Sequence, residues 1–396
     1  MRPALLLLLL ALPVRPFFLY ADFSDTTDLR FNGDAATSAC GAPPPPPAYS
    51  PLLGALDGAG GGLGPAFEEG PSTRAVRTVE PFDAALAAEG ARLLAGFGAR
   101  EAGDYRAAPA GGCAPRLRLT PPRPFKAASV LRFQPVPVLG GWEAGFTLQL
   151  SDPARQCTRV KDASFGTASH AACTVAGGDG LAFVVHGDPA AGAGALGEGG
   201  GGLGYAGLRS ALAVEFDTWY NPGADSGDLP WDHVAVQASP AGAGGAVGAG
   251  TATRVSGAPL RVALGDGAVH TVRVAYHASL RTDWVSRFVG APPLLQHLTA
   301  GADRRPVGTL GVWVDEAEAG TGEVAGSAPG RAAGGALLPT LALPLNINEA
   351  LRLSADQAWV GFTAATGGSA WQAHDVLSWY WCAAPGCVCA NGTGLC

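Results

Sequence analysis

Short apolar segments, spaced by turn residues, constrain this chain more than any other feature. Between Leu117 and Trp381 the segments Leu117/Leu119, Val130 to Val138, Phe146/Leu148/Leu150, Leu181 to Val185, Leu212/Val214/Phe216, Val272/Val274/Tyr276 and Leu310/Val312/Val314 each place apolar residues at strand spacing. A period of two turns one face of a strand toward a core and the other away from it. Gly, Pro, Asp and Asn between the segments supply the turns. No long amphipathic helix competes, and Trp284 to Leu298 reads as a loop or short helix. The pattern predicts an all-β fold, with two antiparallel sheets packed face to face as a sandwich or jelly roll. Gly (58) and Pro (32) exceed a fifth of the 396 residues, and charged residues are only 15%, which suits many short strands and turns.

Composition divides the chain. Met1-Arg2-Pro3 and the apolar run Ala4 to Val14 have the length of an export leader and fall short of a bilayer span, so residues 1–21 are expected to be a signal peptide, with cleavage anywhere from Ala11 to Ala21. Residues 22–40 hold a first strand around Leu29 and Phe31. Residues 41–116 form a Pro/Gly/Ala-rich insert with one helix-prone stretch, Ala84 to Leu94. Residues 117–381 form the sandwich domain, and residues 382–396 a Cys-rich tail. No later segment has transmembrane length.

A net charge of -7 leaves no basic face to neutralise a phosphate backbone, which argues against nucleic-acid partners. Eight cysteines in an exported chain favour disulfides over zinc, the tail containing no His. Two local couples suit such pairing, Cys40 with Cys113 and Cys157 with Cys173. Asn391-Gly392-Thr393 is a glycosylation acceptor. Both features point to a secreted, extracellular or secretory-lumen protein.

Chemistry concentrates in Leu212-Ala213-Val214-Glu215-Phe216-Asp217-Thr218-Trp219. Strand periodicity sends Leu212, Val214 and Phe216 to the core, and Glu215, Asp217 and Trp219 to the opposite face. Asn221, Asp225, Asp228 and His233 follow in a stretch broken by Pro and Gly. Carboxylates this close repel unless a cation lies between them. Oxygen ligands suit calcium, and an added imidazole shifts preference toward manganese or another transition ion. A solvated acidic turn with an unrelated His is the competing reading of the same spacing.

These residues resemble the L-type lectins, typified by legume seed lectins and shared by cargo lectins of the secretory pathway and microbial relatives, and the resemblance implies a secreted microbial or algal-like member. The matching motif runs from Val214 to Asn221, then Asp228, then His233. It extends to Gly178-Asp179-Gly180-Leu-Ala-Phe183, to Gly201-Gly202-Leu203-Gly204, and to Val360-Gly361-Phe362-Thr363 through His374-Asp375 and Ser378-Trp379. The resemblance covers most of the chain outside the insert and tail, and implies a legume-lectin-like sandwich. It implies that Glu215, Asp217, Asp228 and His233 hold a transition ion such as Mn2+. It also implies that Asp217, the Trp219 carbonyl, Asn221 and Asp228 hold Ca2+, with Asp225 a rival ligand in a loop longer than the usual one. A cis peptide at Gly178–Asp179 is implied as well.

A sugar needs fixed partners for its hydroxyls and an aromatic face for its C–H groups. Asp179 would accept hydroxyl hydrogens, Asn221 would donate, Trp219 would supply the platform, and a backbone N–H of Gly201 or Gly202 would complete the set, where glycine permits close approach. Trp371 and Gln372 lie in the family's variable specificity loop and are candidate ligand contacts, with loop packing as the alternative. His186 and Asp188 read as surface residues, and Trp313, Trp359, Trp379 and Trp381 as core. The expected function is calcium-dependent glycan binding without catalysis, with glycans or glycoproteins as partners and homo-oligomerisation open. A jelly-roll glycoside hydrolase is one alternative, but the second glutamate of Glu-x-Asp-x-x-Glu is replaced by Tyr220. A non-sugar-binding adhesion module is the other.

Overall fold

The structure is a computed structural model and describes residues 18–38, 77–80, 115–162, 169–221, 228–240, 245–250, 252–299, 306–315, 337–353 and 355–386. Among these residues an eight-stranded antiparallel sheet packs on a seven-stranded one, with a small third sheet beside them. The seven-stranded sheet runs in the order β13 (Arg254–Pro259), β12 (His233–Ala238), β11 (Ala211–Asp217), β10 (Gly180–His186), β17 (Trp359–Ala365), β6 (Ala127–Arg132) and β2 (Leu29–Gly33). The eight-stranded sheet holds β16 (Leu341–Leu345), β15 (Gly308–Val314), β14 (Val269–His277), β7 (Trp142–Ser151), β18 (Ala373–Cys382), β5 (Arg116–Thr120) and β3 (Ala36–Ser38) in that order, with β1 (Phe18–Tyr20) also paired to β18. β4 (Arg77–Glu80), β8 (Ala154–Asp162) and β9 (Ser169–Ala176) make the third sheet. The expected antiparallel β-sandwich is the observed fold.

The core forms where the alternating residues of the two sheets meet. Leu181, Phe183 and Val185 of β10 and Leu212, Val214 and Phe216 of β11 face Phe146, Leu148 and Leu150 of β7 and Val272 and Val274 of β14. Phe146 contacts Phe183, Phe216 and Phe362, while Trp142 stacks on Trp381 with ring centroids 4.7 Å apart. Each such side chain contributes about 1.5–3 kcal/mol by leaving water. Trp379 and Trp381 are core residues as expected, and Trp313 is buried in a separate cluster with Trp284 on the outer side of the eight-stranded sheet.

The seven-stranded sheet is covered on its outer face too. Ala182, Val184 and Ala213 lie beneath Leu203, Tyr205, Leu208 and Val247, so β10 and β11 are buried along their whole length. His186, expected at the surface, points into this second layer and stacks on Trp359. Two further segments add strands that the sequence reading does not name. Phe18–Tyr20, inside the range where leader cleavage is expected, form β1 against Trp379–Trp381. Arg77–Glu80 of the insert pair with β8. Trp284 to Leu298 holds a 3-10 turn at Thr282–Arg287 and a short helix, α1 (Leu294–Thr299), as expected. The backbone register sets Cys157 opposite Cys173, and Cys382 is disulfide-bonded. The leader run before Phe18, the helix-prone stretch Ala84 to Leu94, Cys40, Cys113, Asp225, and the tail with Cys387, Cys389, Asn391 and Cys396 lie outside the described residues. No helix among the described residues is long and apolar enough to cross a membrane.

Candidate functional site

Ladder register brings the functional motifs to one end of the seven-stranded sheet. Gly180 opens β10 opposite both Asp217, which ends β11, and Ala365, which ends β17. Ala365 in turn faces Ala127 at the start of β6, and Asp217 faces His233 at the start of β12. The segments entering and leaving these strand ends therefore meet, although they span more than two hundred residues of sequence.

The acidic cluster sits where β11 ends. Ligand atoms of Asp217, Asp228 and His233 lie within 4.8 Å of one another. His233 Nε2 is 3.4 Å from Asp228 Oδ1 and 3.9 Å from Glu215 Oε1. His233 Nδ1 lies 3.0 Å from the Trp231 carbonyl, so a proton held there donates to that oxygen and leaves the Nε2 lone pair toward the carboxylates. Glu215 is buried at the edge of the group, accepting hydrogen bonds from the Tyr205 hydroxyl and, at 2.9 Å, from the Gln237 amide. Burial, followed by the charges of Glu215 and Asp228, raises the Asp217 carboxyl well above its ordinary range. Burial likewise raises Glu215, opposed by the hydrogen bond from Tyr205 and the charge of His233. A set of carboxylates that resists ionisation together, with an imidazole nitrogen aimed at them, has the donor chemistry of a cation site.

Backbone contacts tie the neighbouring residues to this cluster. Trp219 N–H donates to Asp217 Oδ1 at 2.7 Å, and Asn221 N–H donates to Asp228 Oδ2 at 2.8 Å. Asn221 also approaches the glycine turn, since a Cβ on Gly201 would sit 3.0 Å from Asn221 Oδ1. The Gly202 N–H is engaged by the Gly199 carbonyl, which leaves Gly201 as the better placed of the two expected glycines.

Asp179 follows a cis peptide bond from Gly178, as the resemblance implies. It is 3% exposed, and its Oδ2 has no hydrogen-bond partner among the described residues. Loss of hydration pushes its pKa up to about 7. A buried acceptor left unpaired costs about 1–3 kcal/mol, so the position favours whatever donor can reach it. Three glycines keep the surroundings open. A Cβ on Gly367 would stand 3.2 Å from Asp179 Oδ2, one on Gly200 would stand 3.8 Å from it, and one on Gly178 would meet the Trp219 side chain at 3.3 Å. Gly200 and Gly367 also border a cavity of about 390 Å3 that runs out past Thr366 to Phe125 and Lys126.

The backbone carbonyl of Asp179 is held from behind. Thr218 donates to it through its N–H at 2.9 Å and its hydroxyl at 3.1 Å, and the Gln372 amide donates to the Thr218 hydroxyl at 2.9 Å. Gln372 is thus fully buried, and Trp371 is buried beside it. Gln372, sealed from solvent with its amide engaged by Thr218, fits the loop-packing alternative, whereas Trp371 keeps 7% of its surface, more than Asp179 at 3%, and stays a candidate contact. Gln372 acts by positioning Thr218. Asp375 is structural, gripped by Arg118 through bonds of 2.8 and 2.9 Å. Tyr205, Gln237 and Thr218 are the participants that sequence reasoning missed. Thr218 lay within the quoted motif, whereas nothing in sequence linked Tyr205 or Gln237 to Glu215.

No family model matches the chain, and no curated protein matches it. Among solved structures, the chain is similar to a lectin from Bauhinia forficata in complex with GalNAc, at 15% identity over 92% of this chain and 96% of that one, with a TM-score of 0.44. It is also similar to lectin I-B4 from Griffonia simplicifolia in its metal-free form, at 16% identity over 92% and 97% of the two chains, with a TM-score of 0.43. The exoplasmic/lumenal domain of VIP36, bound to Ca2+ and Man3GlcNAc, gives 15% identity over 67% and 77%, with a TM-score of 0.39.

Proposed function

We propose that this chain is a secreted or secretory-lumen, calcium-dependent carbohydrate-binding protein with no catalytic step. The observation that carries the reading is Asp179: a buried carboxylate with an unpartnered oxygen, bordered by glycines, beside the half-buried Trp219. A saccharide hydroxyl supplies the missing donor, and the indole supplies a face for C–H groups. Asn221 and the Gly201 N–H complete the polar set.

Asp217, Asn221, Asp228 and the Trp219 carbonyl would hold Ca2+. Asp217, Asp228, His233 and Glu215 would hold a second ion such as Mn2+. Such a cation supplies the positive charge that lets these carboxylates ionise together. What the chain itself contributes is position: Asp217 fixes the Trp219 N–H, Asp228 fixes the Asn221 N–H, and Thr218 fixes the Asp179 carbonyl. Metal and sugar residues therefore share one stretch of backbone.

Glycoside hydrolysis is disfavoured because it needs two carboxylates able to reach the substrate. Glu215 is buried and engaged by Tyr205 and Gln237, and Tyr220 stands where a second glutamate would be. Glycan-array binding with and without chelator tests the proposal. A sugar signal that is lost with chelator and lost in Asp179→Ala, with the variant folded, is expected. Glycan cleavage would establish the enzyme, and binding by Asp179→Ala equal to the parent chain would overturn the site.

A further inference from the structure

The cavity beside Asp179 does not end at the residues assigned so far. At its outer wall stands Phe125, a large apolar side chain left 67% exposed. Leaving a phenylalanine in water forgoes about 1.5–3 kcal/mol of burial, so an exposed ring on a cavity wall asks what covers it.

Phe125 is also held firmly. Pro121, Pro122 and Pro124 stiffen the segment before it, and its backbone has a positive φ of 55°, uncommon for a bulky residue. Four hydrogen bonds pin the segment to the β17–β18 connection. Phe125 N–H donates to the Gly367 carbonyl and Thr366 N–H to the Lys126 carbonyl, while the Thr366 hydroxyl donates to the Arg123 carbonyl and accepts from Lys126 N–H. A rigid aromatic loses little entropy when a ligand packs on it.

Two consecutive glycines join this ring to the sugar carboxylate. A Cβ on Gly367 would stand 3.2 Å from Asp179 Oδ2, and one on Gly368 would stand 2.6 Å from Phe125 Cζ. With Cα atoms about 3.8 Å apart, these glycines line the cavity with Phe125 and set the Asp179 carboxylate just behind Gly367. The charge on this side is already spent: Lys126 Nζ is paired with Asp34 at 3.0 Å. The wall therefore offers an apolar face rather than a cation.

We infer that Phe125 forms a second sugar subsite, so that the site selects a neutral oligosaccharide of at least two rings. One ring packs on Trp219 at Asp179, and the next lays its C–H face on Phe125. This rests on the carbohydrate-binding reading above and adds the ligand class to it.

Calorimetric titration of the metal-loaded full chain, using the best monosaccharide from the array and oligosaccharides ending in it, tests the inference. The parent chain should bind the oligosaccharide more tightly. Phe125→Ala should weaken oligosaccharide binding about fivefold while leaving monosaccharide binding within about twofold, the scale of one aromatic contact. Gly368→Ala, which displaces the ring and keeps Phe125, should lose the same increment. Oligosaccharide binding unchanged in Phe125→Ala, or both ligands weakened equally, overturns the second subsite and leaves the first standing. No saccharide binding by the folded parent chain overturns both.

Discussion

Asp217 and His233 sit directly opposite each other where β11 ends and β12 begins. Fifteen residues separate them in sequence, and the antiparallel ladder closes that gap while the intervening chain delivers Asp228 to the same point, its Oδ1 3.4 Å from His233 Nε2. His233 is the only nitrogen donor in this cluster among the described residues. His233→Ala should therefore reduce retention of a transition ion by more than about tenfold and leave Ca2+ retention nearly unchanged, because hard oxygen ligands remain. Elemental analysis after dialysis against each metal separates the two. Equal loss of both ions would mean that one shared site exists in place of two.

Asp179 couples binding to stability with opposite signs. Its folded-state pKa is about 7 against an ordinary value of 3.8, so the folded chain holds a proton that the unfolded chain releases. That contribution is fully present below about pH 4 and is lost as pH rises through 7. Asp179→Asn removes the ionisation. In metal-free protein the variant's Tm should match the parent near pH 4 and exceed it increasingly toward pH 7, with an upper bound on the order of 4 kcal/mol. Glycan binding by the metal-loaded variant should fall by more than about tenfold. Thermal melts across this range check the first statement, and calorimetry the second.

Gln372 offers a test of positioning. Its amide bonds Thr218, whose hydroxyl and N–H hold the Asp179 carbonyl. Gln372→Ala should weaken sugar binding several-fold, in line with about 1 kcal/mol for one hydrogen bond, and leave metal content unchanged. Gln372→Glu keeps the size and one acceptor but loses the donor to Thr218, so it should not rescue binding. A variant that binds sugar like the parent would assign Gln372 to loop packing alone.

The sandwich was legible because alternation writes both the strand and its inward face: Leu212, Val214 and Phe216 are core residues as that periodicity requires. The clustering of Asp217, Asp228 and His233 was legible because these residues fall within one short stretch, and a local motif survives without knowledge of the fold. What escaped depends on contacts between distant segments. Periodicity turns the Glu215 face of β11 away from the core, yet Tyr205 and its neighbours cover it, a layer that local periodicity cannot announce. His233 was read in a loop and begins β12, because Pro230 and the turn residues before it masked the strand. Gln372 looked like a loop residue next to the ligand, and only the tertiary fold shows it filling the space behind Gly177 and bonding Thr218. Phe125 carries no motif at all, and its place in the cavity depends on Gly367, whose carbonyl takes its N–H, and Gly368, which packs on its ring, both far along the chain.

Buried imidazoles make acid a second lever on the fold. Burial lowers His186 and His297 to about 4 and His374 to about 3, all below the ordinary 6.5. Folded-state values this low mean that the unfolded chain takes up protons first, so the stability they contribute is present above pH 6.5 and lost as pH falls toward 4 and 3. Asp179 works the other way over part of the same range, so the parent chain's own pH profile mixes opposing slopes. A difference between chains isolates one group. His374 is fully buried between Thr120 and Gln372, both within hydrogen-bonding reach of its ring, and His374→Gln keeps a polar side chain there that does not titrate. Between pH 6 and 4 the stability of this variant should fall less steeply than the parent's by about one proton, or ~1.4 kcal/mol per pH unit. Denaturant melts of the metal-free proteins at several pH values give the two slopes. Parallel slopes would show that His374 titrates alike in the folded and unfolded chain, which a neutral imidazole sealed in this interior cannot do.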